Sequence, residues 1–395
     1  MMARALKVGV IAGEVSGDLL GGDLIAALKS AYPGPIELIG VGGDQLTAQG
    51  LHSLFDFSEL SIMGITQVLA RLPGLIRRIN QTAEAIVAAR PDVLIIIDSP
   101  DFTHRVAKKV RAKLSDLPVV NYVCPSVWAW KEYRAQAMLA YVDRVLAVLP
   151  FEPDVMKKLG GPETFYVGHR LTADPDILKV RDLRAKRPAK QSHEEKTLLL
   201  LPGSRSAEIK ALLPDFRLTV EEFSARNGAC RLLLPTVARR EALVRELIAD
   251  WPIKPQVIVG QDDKWAAFIE ADVALAASGT VVLELALATV PCISTYRTDW
   301  LIKLMAKRIK IWSGALPNII ADYPVVPEHI NEMVRPGYLC RWIERLSHDT
   351  PQRHSMLSGF EDLWQRLATS VPAGEASAGI VLDLLEKRKG ALPLS

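Results

Sequence analysis

The chain has 395 residues, 49% of them hydrophobic and 24% charged, enough to fill two α/β cores and too apolar for global disorder. Its net charge of +3 excludes an overall electrostatic footprint for nucleic acid, so an anionic surface could be met only through local patches. Four scattered cysteines without a C-x-x-C pair read as reduced thiols, and the seven histidines show no ligand spacing, so neither a metal site nor a cofactor is expected.

Residues Met1 to Lys7 lead straight into an apolar run, so no signal peptide is expected. From there, strand-like and helix-like segments alternate with short turns, the pattern of an open parallel sheet. The strands expected in the first half are Lys7–Ala12, Ile36–Gly40, Val93–Ile97, Val119–Val123, Arg144–Val148 and Phe165–Val167. Helices are expected over Leu19–Ser30, Leu75–Ala89 and Thr103–Leu114. The stretch from Val180 to Lys196 is charge-rich and reads as a solvated interdomain connection. The alternation restarts at Thr197, with strands at Leu198–Leu201, Arg231–Pro235, Gln256–Val259, Val273–Ala276 and Cys292–Ser294, and turns helical after Pro327. The nearly uncharged stretch Val273 to Cys292 reads as strand–turn–helix–strand, because Ser278-Gly279-Thr280 breaks it and Pro291 ends it. The expected architecture is therefore α/β, with two Rossmann-like domains facing each other across a cleft. Residues 1–170 form the first, 171–196 the linker, and 197–395 the second together with the terminal helices.

Two glycine turns, each at the end of a strand, carry the chemistry. One holds Gly13, Glu14, Ser16, Gly17 and Asp18, and the other holds Gly203, Ser204 and Arg205. A helix that starts after such a turn offers free N–H groups and partial positive charge to an anion. Neither turn matches G-x-G-x-x-G or a Walker A sequence, so dinucleotide and ATP readings lose. The guanidinium of Arg205 suits a phosphate. Farther along, Ser278, Gly279 and Thr280 open a second helix toward an anion, and Glu284 lies one turn further in, placed to accept from ribose hydroxyls. The plain alternative is that Ser278 and Thr280 cap that helix. In the first half, Asp98 follows a buried strand and is the candidate general base, with Asp101 capping the helix near Thr103; the reverse assignment stays open. Asp174-Pro175-Asp176 reads as a turn rather than a metal-binding D-x-D.

The motifs A-G-E-V-S-G-D at 12–18, M-G-I-T-Q-V-L at 63–69, D-S-P-D-F at 98–102 and C-P-S-V-W-A-W at 124–130 are joined by L-P-F-E at 149–152, V-G-H at 167–169, L-P-G-S-R at 201–205, A-S-G-T-x-x-L-E at 277–284 and L-P-N at 316–318. Together they resemble the lipid A disaccharide synthases, glycosyltransferases of GT-B fold. The resemblance implies inverting transfer of 2,3-diacylglucosamine from its UDP derivative to the 6-hydroxyl of 2,3-diacylglucosamine 1-phosphate. It implies UDP contacts at Gly203, Ser204, Arg205, Ser278, Gly279, Thr280 and Glu284. It implies substrate contacts at Glu14, Ser16, Gly17, Ser126, Trp128 and Asn318. It further implies a homodimer at the cytoplasmic face of the inner membrane, bound peripherally. The sequence departs from the family after Trp130, at Arg170 and at Asp322-Tyr323. Another GT-B UDP-sugar transferase, a UDP-sugar epimerase or a non-catalytic nucleotide-sugar binder are the competing readings. Two segments suit a lipid surface: Met63 to Arg78, interrupted at Pro73-Gly74, with Leu69, Leu72 and Leu75 beside basic residues, and Trp300 to Trp312 read as an amphipathic helix.

Overall fold

The computed structural model describes residues 4–60, 65–187, 190, 194–297 and 310–391, the side chains at 58, 65–72 and 389–391 excepted. The chain divides into two compact units, residues 1–170 with 369–395 and residues 171–368.

Unit 1 is built on a six-stranded parallel sheet. Its strands are β1 (Leu6–Ala12), β2 (Ile36–Val41), β3 (Val93–Ile97), β4 (Val119–Tyr122), β5 (Arg144–Ala147) and β6 (Glu163–Tyr166), in the order β2-β1-β3-β4-β5-β6. Between them run α1 (Val15–Ala31), α2 (Asp44–Ala48), α3 (Ile65–Ala89), α4 (Pro100–Arg111), α5 (Tyr133–Met138) and α6 (Glu152–Lys158). β3 is a continuous apolar run because helices cover both its faces. Leu94 and Ile96 pack with Ile79, Ile86 and Val106 of α3 and α4, while Val93, Ile95 and Ile97 pack with Leu24 and Leu28 of α1.

Unit 2 repeats the plan. It contains α7 (Pro175–Ala185), β7 (Lys196–Leu201), α8 (Ser206–Asn227), β8 (Cys230–Thr236), α9 (Glu241–Leu247), β9 (Gln256–Val259), α10 (Gln261–Glu270), β10 (Val273–Ala277), α11 (Thr280–Leu287) and β11 (Cys292–Tyr296). It continues with α12 (Leu316–Ala321), β12 (Glu328–Ile330), α13 (Pro336–Ser347) and α14 (Pro351–Leu367). Its parallel sheet has the order β12-β11-β10-β7-β8-β9. Both units are thus doubly wound, and the expected strand–turn–helix–strand reading of 273–292 is what β10, α11 and β11 form.

Four expectations are corrected. The last helix, α15 (Ala373–Ala391), belongs to unit 1, not to the C-terminal domain: Ala378, Val381, Leu384 and Leu385 fill the core face shared with α1. The charged 171–196 stretch is part of unit 2 rather than a solvated linker. Arg184 of α7 donates to the carbonyls of Phe268, Ala271 and Thr289, and Asp272 takes Arg187 at 2.7 Å and Lys190 at 2.9 Å. Its charges serve to satisfy buried backbone oxygens, which composition alone does not reveal. The third concerns α3, which runs unbroken through Pro73, so Pro73-Gly74 is no interruption. Fourth, α4 starts at Pro100, a residue preset for the first helical position. Asp101 therefore lies inside the first turn, 3.9 Å from the Arg134 guanidinium, and Ser99 occupies the cap position.

Among the described residues no helix is long and apolar enough to cross a membrane. Of the two candidate lipid-facing segments, residues 61–64 and 298–309 lie outside the described residues, as do the side chains of Leu69 and Leu72. Leu75 packs against the core, whereas Ile76 is 45% exposed. Arg78 is committed to Glu59 through two hydrogen bonds of 2.9 and 2.6 Å, so it is no free lipid contact.

Candidate functional site

In a doubly wound sheet, ligands settle at the carboxyl ends of the strands where the winding direction reverses. In unit 1 the reversal lies between β1 and β3, and in unit 2 between β7 and β10. The residues that leave those four strand ends are the sequence-predicted ones: Gly13 to Gly17, Asp98, Gly203 to Arg205, and Ser278 to Thr280.

In unit 1, Asp98 and Ser99 are both left-handed, with φ of 53° and 44°. Such a conformation costs about 1–3 kcal/mol per residue and persists where its surroundings enforce it. Here the Asp98 N–H donates to the Tyr122 carbonyl at 3.1 Å, and the Thr103 hydroxyl donates to the Asp98 carbonyl at 2.6 Å. The Asp98 carboxylate accepts from the Ser99 N–H at 2.7 Å and lies 3.4 Å from the Ser16 hydroxyl, while the Ser99 hydroxyl lies 3.4 Å from Glu14. Gly13 allows this approach, because a Cβ there would stand 2.5 Å from the Ser99 side chain. Gly17 is buried against the end of β3. Glu14, Ser16, Gly17 and Asp98 are therefore one cluster. Asp18, from the same motif, is structural: its carboxylate accepts from the N–H groups of Gly43, Gln45 and Leu46 and so fixes the start of α2.

A second strained point, Val123 at φ 73°, follows β4 and launches the Pro125–Trp130 turn. Ser126 is exposed at its start. Trp128 is turned inward: its indole N–H donates to Glu152 at 3.2 Å and its ring meets Phe151 edge-on, with centroids 5.3 Å apart. Trp130 is the more exposed ring, with the Lys131 ammonium 3.9 Å from its centroid. Glu152, only 2% exposed, also accepts from the Leu149 N–H at 3.1 Å, and burial pushes its carboxyl up to about 8. Two sequence motifs, P-S-V-W-A-W and L-P-F-E, are thus one packed unit. Trp128, expected among the substrate contacts, is half-buried and acts there as the anchor of the turn.

In unit 2, one cavity of about 670 Å³ collects the remaining candidates. It is lined by Gly203, Ser204, Arg205, Ser278, Gly279, Thr280 and Glu284, and by Thr236, Gly260 and Lys264. Gly203 has φ 104°, and a Cβ there would strike the Glu208 carboxylate. That carboxylate closes the first turn of α8 by accepting from the Arg205 N–H at 3.3 Å, and it holds the Arg205 guanidinium at 2.8 Å. Arg205 nonetheless keeps 69% of its side chain in solvent, leaving donors for a ligand. Ser278 and Thr280 do not cap α11. Gly279 holds the cap position without a side-chain bond, and the Ser278 hydroxyl donates to the Gly314 carbonyl at 3.1 Å. Glu284 meets the Lys264 ammonium at 2.5 Å.

Asn318 is the expectation the structure corrects most plainly. It is 2% exposed, and its amide accepts from Val325 and Val326 while donating to Ser313 and the Val326 carbonyl, which uses all four of its hydrogen-bonding positions. It pins the loop after α12 and has nothing left to offer a substrate. Sequence reasoning also missed Lys264, Glu208 and Glu152. Lys264 was within reach, since Gly260 follows a strand and caps the start of a helix just as Gly279 does. Asp174 caps α7, accepting from the N–H groups of Asp176 and Ile177, as the turn reading expects.

Solved structures share the fold. A UDP-GlcNAc 2-epimerase from Neisseria meningitidis, crystallised with UDP-GlcNAc, aligns with a TM-score of 0.54 at 11% identity over 97% of this chain and 100% of that one. MurG from Acinetobacter baumannii aligns with a TM-score of 0.54 at 15% identity, again over 97% and 100%. Sequence relatives are far more similar. A lipid-A-disaccharide synthase from Rhodopseudomonas palustris is 45% identical over 381 residues, covering 96% of each chain, and one from Nitrobacter winogradskyi is 42% identical over 388 residues, covering 98% of this chain and 97% of that protein. The family described as lipid-A-disaccharide synthetase matches residues 8–365, and this chain belongs to it.

Proposed function

We propose that the chain joins two diacylglucosamine units, transferring 2,3-diacylglucosamine from its UDP derivative to the 6-hydroxyl of 2,3-diacylglucosamine 1-phosphate with inversion and releasing UDP. The observation that carries this is the unit 2 cavity, in which two helix-opening turns, a guanidinium and a carboxylate converge. The Gly203 turn, Arg205 and the N-terminus of α11 meet the diphosphate as it leaves, opposing the charge that develops on it. Glu284 takes the ribose hydroxyls. In unit 1, Asp98 removes the proton of the acceptor hydroxyl, held by the strained turn in one orientation with Glu14, Ser16 and Gly17 around it. Ser126 belongs to the acceptor side of the same reading.

The acyl chains of both substrates call for a peripheral stay on the cytoplasmic face of the inner membrane, supported by the exposed Ile76 and Arg77 on α3. A homodimer built through the C-terminal half completes the proposal. The test is to incubate the purified protein with both diacylglucosamine substrates, with and without EDTA, and to follow UDP and disaccharide by mass. Equal amounts of both products support the reading. UDP without disaccharide, or neither, overturns it.

A further inference from the structure

We infer that Lys264 is a positioning residue that sets the preference of the unit 2 cavity for an intact ribose diol, acting through Glu284. This rests on the nucleotide reading of that cavity. Both side chains are largely buried, 18% and 20% exposed, and their closest atoms, Lys264 Nζ and Glu284 Oε2, are 2.5 Å apart. Lys264 projects from the first turn of α10, and Glu284 from the second turn of α11, so two separate helices deliver the pair to one cavity wall. The ammonium is itself fixed from behind. It lies 4.4 Å from the Trp265 ring centroid and 5.4 Å from that of Phe268.

The chemistry follows from lone-pair accounting. An ionised carboxylate accepts at two oxygens, and a vicinal diol presents two O–H donors. With one lone pair of Oε2 held by the ammonium, the carboxylate plane is locked, and Oε1 together with the second lone pair of Oε2 can receive the two O–H groups of the diol. Without Lys264, the neighbours of Glu284 on α11 are Leu283 and Leu285, both fully buried, and among the described residues no other hydrogen bond or ion pair holds its carboxylate in one rotamer. A carboxylate free to turn loses the aligned geometry on which diol recognition depends. Lys264 thus acts at one remove, on the orientation of the group that reads the sugar. The diphosphate falls to the turns at Gly203 and Gly279 on the same wall.

The experiment compares UDP with 2′,3′-dideoxy-UDP by calorimetry on the full chain. The wild type is expected to favour UDP by about tenfold or more, the scale of hydrogen bonds to a charged group. Lys264→Met is expected to lose that preference, weakening UDP about tenfold and leaving the dideoxy compound within about twofold. Lys264→Gln, which removes the charge, shortens the stem by two methylenes and keeps a polar end, is measured alongside in case the methionine variant does not fold. Equal weakening of both ligands would assign Lys264 to the diphosphate and overturn the inference, as would an unchanged preference. Absence of UDP binding by the wild type would overturn the nucleotide reading and this inference with it, an outcome distinct from a wild type that binds UDP beside variants that discriminate as it does.

Discussion

Replacing Glu152 by glutamine tests how the Pro125–Trp130 turn is held. Among the described residues the buried carboxyl meets the Trp128 indole N–H and backbone N–H groups rather than a cation, and burial pushes it from 4.5 up to about 8. An acid raised in the folded state binds its proton more tightly there than in the unfolded chain. The contribution of Glu152 is therefore greatest in acid and falls as pH rises from about 4.5, by about 1.4 kcal/mol per pH unit, levelling off above about 8. The whole interval amounts to a ceiling of about 5 kcal/mol, lowered by any relaxation that admits water. Between pH 6.5 and 8 it amounts to about 2 kcal/mol. His104 and His169, held down to about 4 by burial, act in the opposite sense between about 4 and 6.5 and are common to both proteins. Chemical denaturation of wild type and Glu152→Gln at pH 6.5 and 8 isolates the carboxyl. The wild type is expected to lose about 2 kcal/mol more than the variant across that window. Parallel losses would refute the argument, because they would show that Glu152 ionises in the fold at no cost.

Asp98→Asn is expected to keep its thermal midpoint and UDP affinity while turnover falls about 10²-fold or more, and near-normal turnover would pass the base role to another group. Arg205→Ala and Glu284→Ala are each expected to weaken UDP about tenfold in calorimetry, Arg205 through the diphosphate and Glu284 through the ribose. Unchanged affinity in both would remove the nucleotide from unit 2. Ile76→Ser combined with Arg77→Ser is expected to reduce flotation with anionic vesicles at low salt without altering the melt, and unchanged flotation would clear α3 of any lipid contact.

The two sheets were legible because parallel strands buried on both faces are apolar runs, and β3 and β9 match the expected spans residue for residue. β12 was not, since Glu328-His329-Ile330 is three residues long and its apolar content is one isoleucine. The turns at Asp98, Gly203 and Gly279 could be read because strand–turn–helix grammar is local. The duties of Asn318 and Trp128 could not: each is decided by a partner elsewhere in the chain, Val325 and Val326 in one case and Glu152 in the other. A polar residue in a motif looks the same in sequence whether it meets a substrate or a buried N–H. The 171–196 stretch misled for the same reason, because its arginines find carbonyls that only folding assembles.

The return of α15 to unit 1 has a consequence for how this protein is made. On the ribosome, all of residues 171–368 emerges before the helix that completes the first unit, so unit 2 can close while unit 1 still lacks one wall of its core. Until then Arg144, 4% exposed in the finished fold, has neither the Ile380 carbonyl at 2.8 Å nor the Asp383 carboxylate at 2.7 Å, and Asp143 lacks Arg388. Until the last helix docks, Arg144 keeps Glu163, at 3.4 Å, and its remaining donors face water, so burying it must wait for the partners that α15 brings. Synthesis that stopped ahead of Thr369 would spare the later-made unit and strand the earlier one, exposing the α1 face that Val381, Leu384 and Leu385 cover.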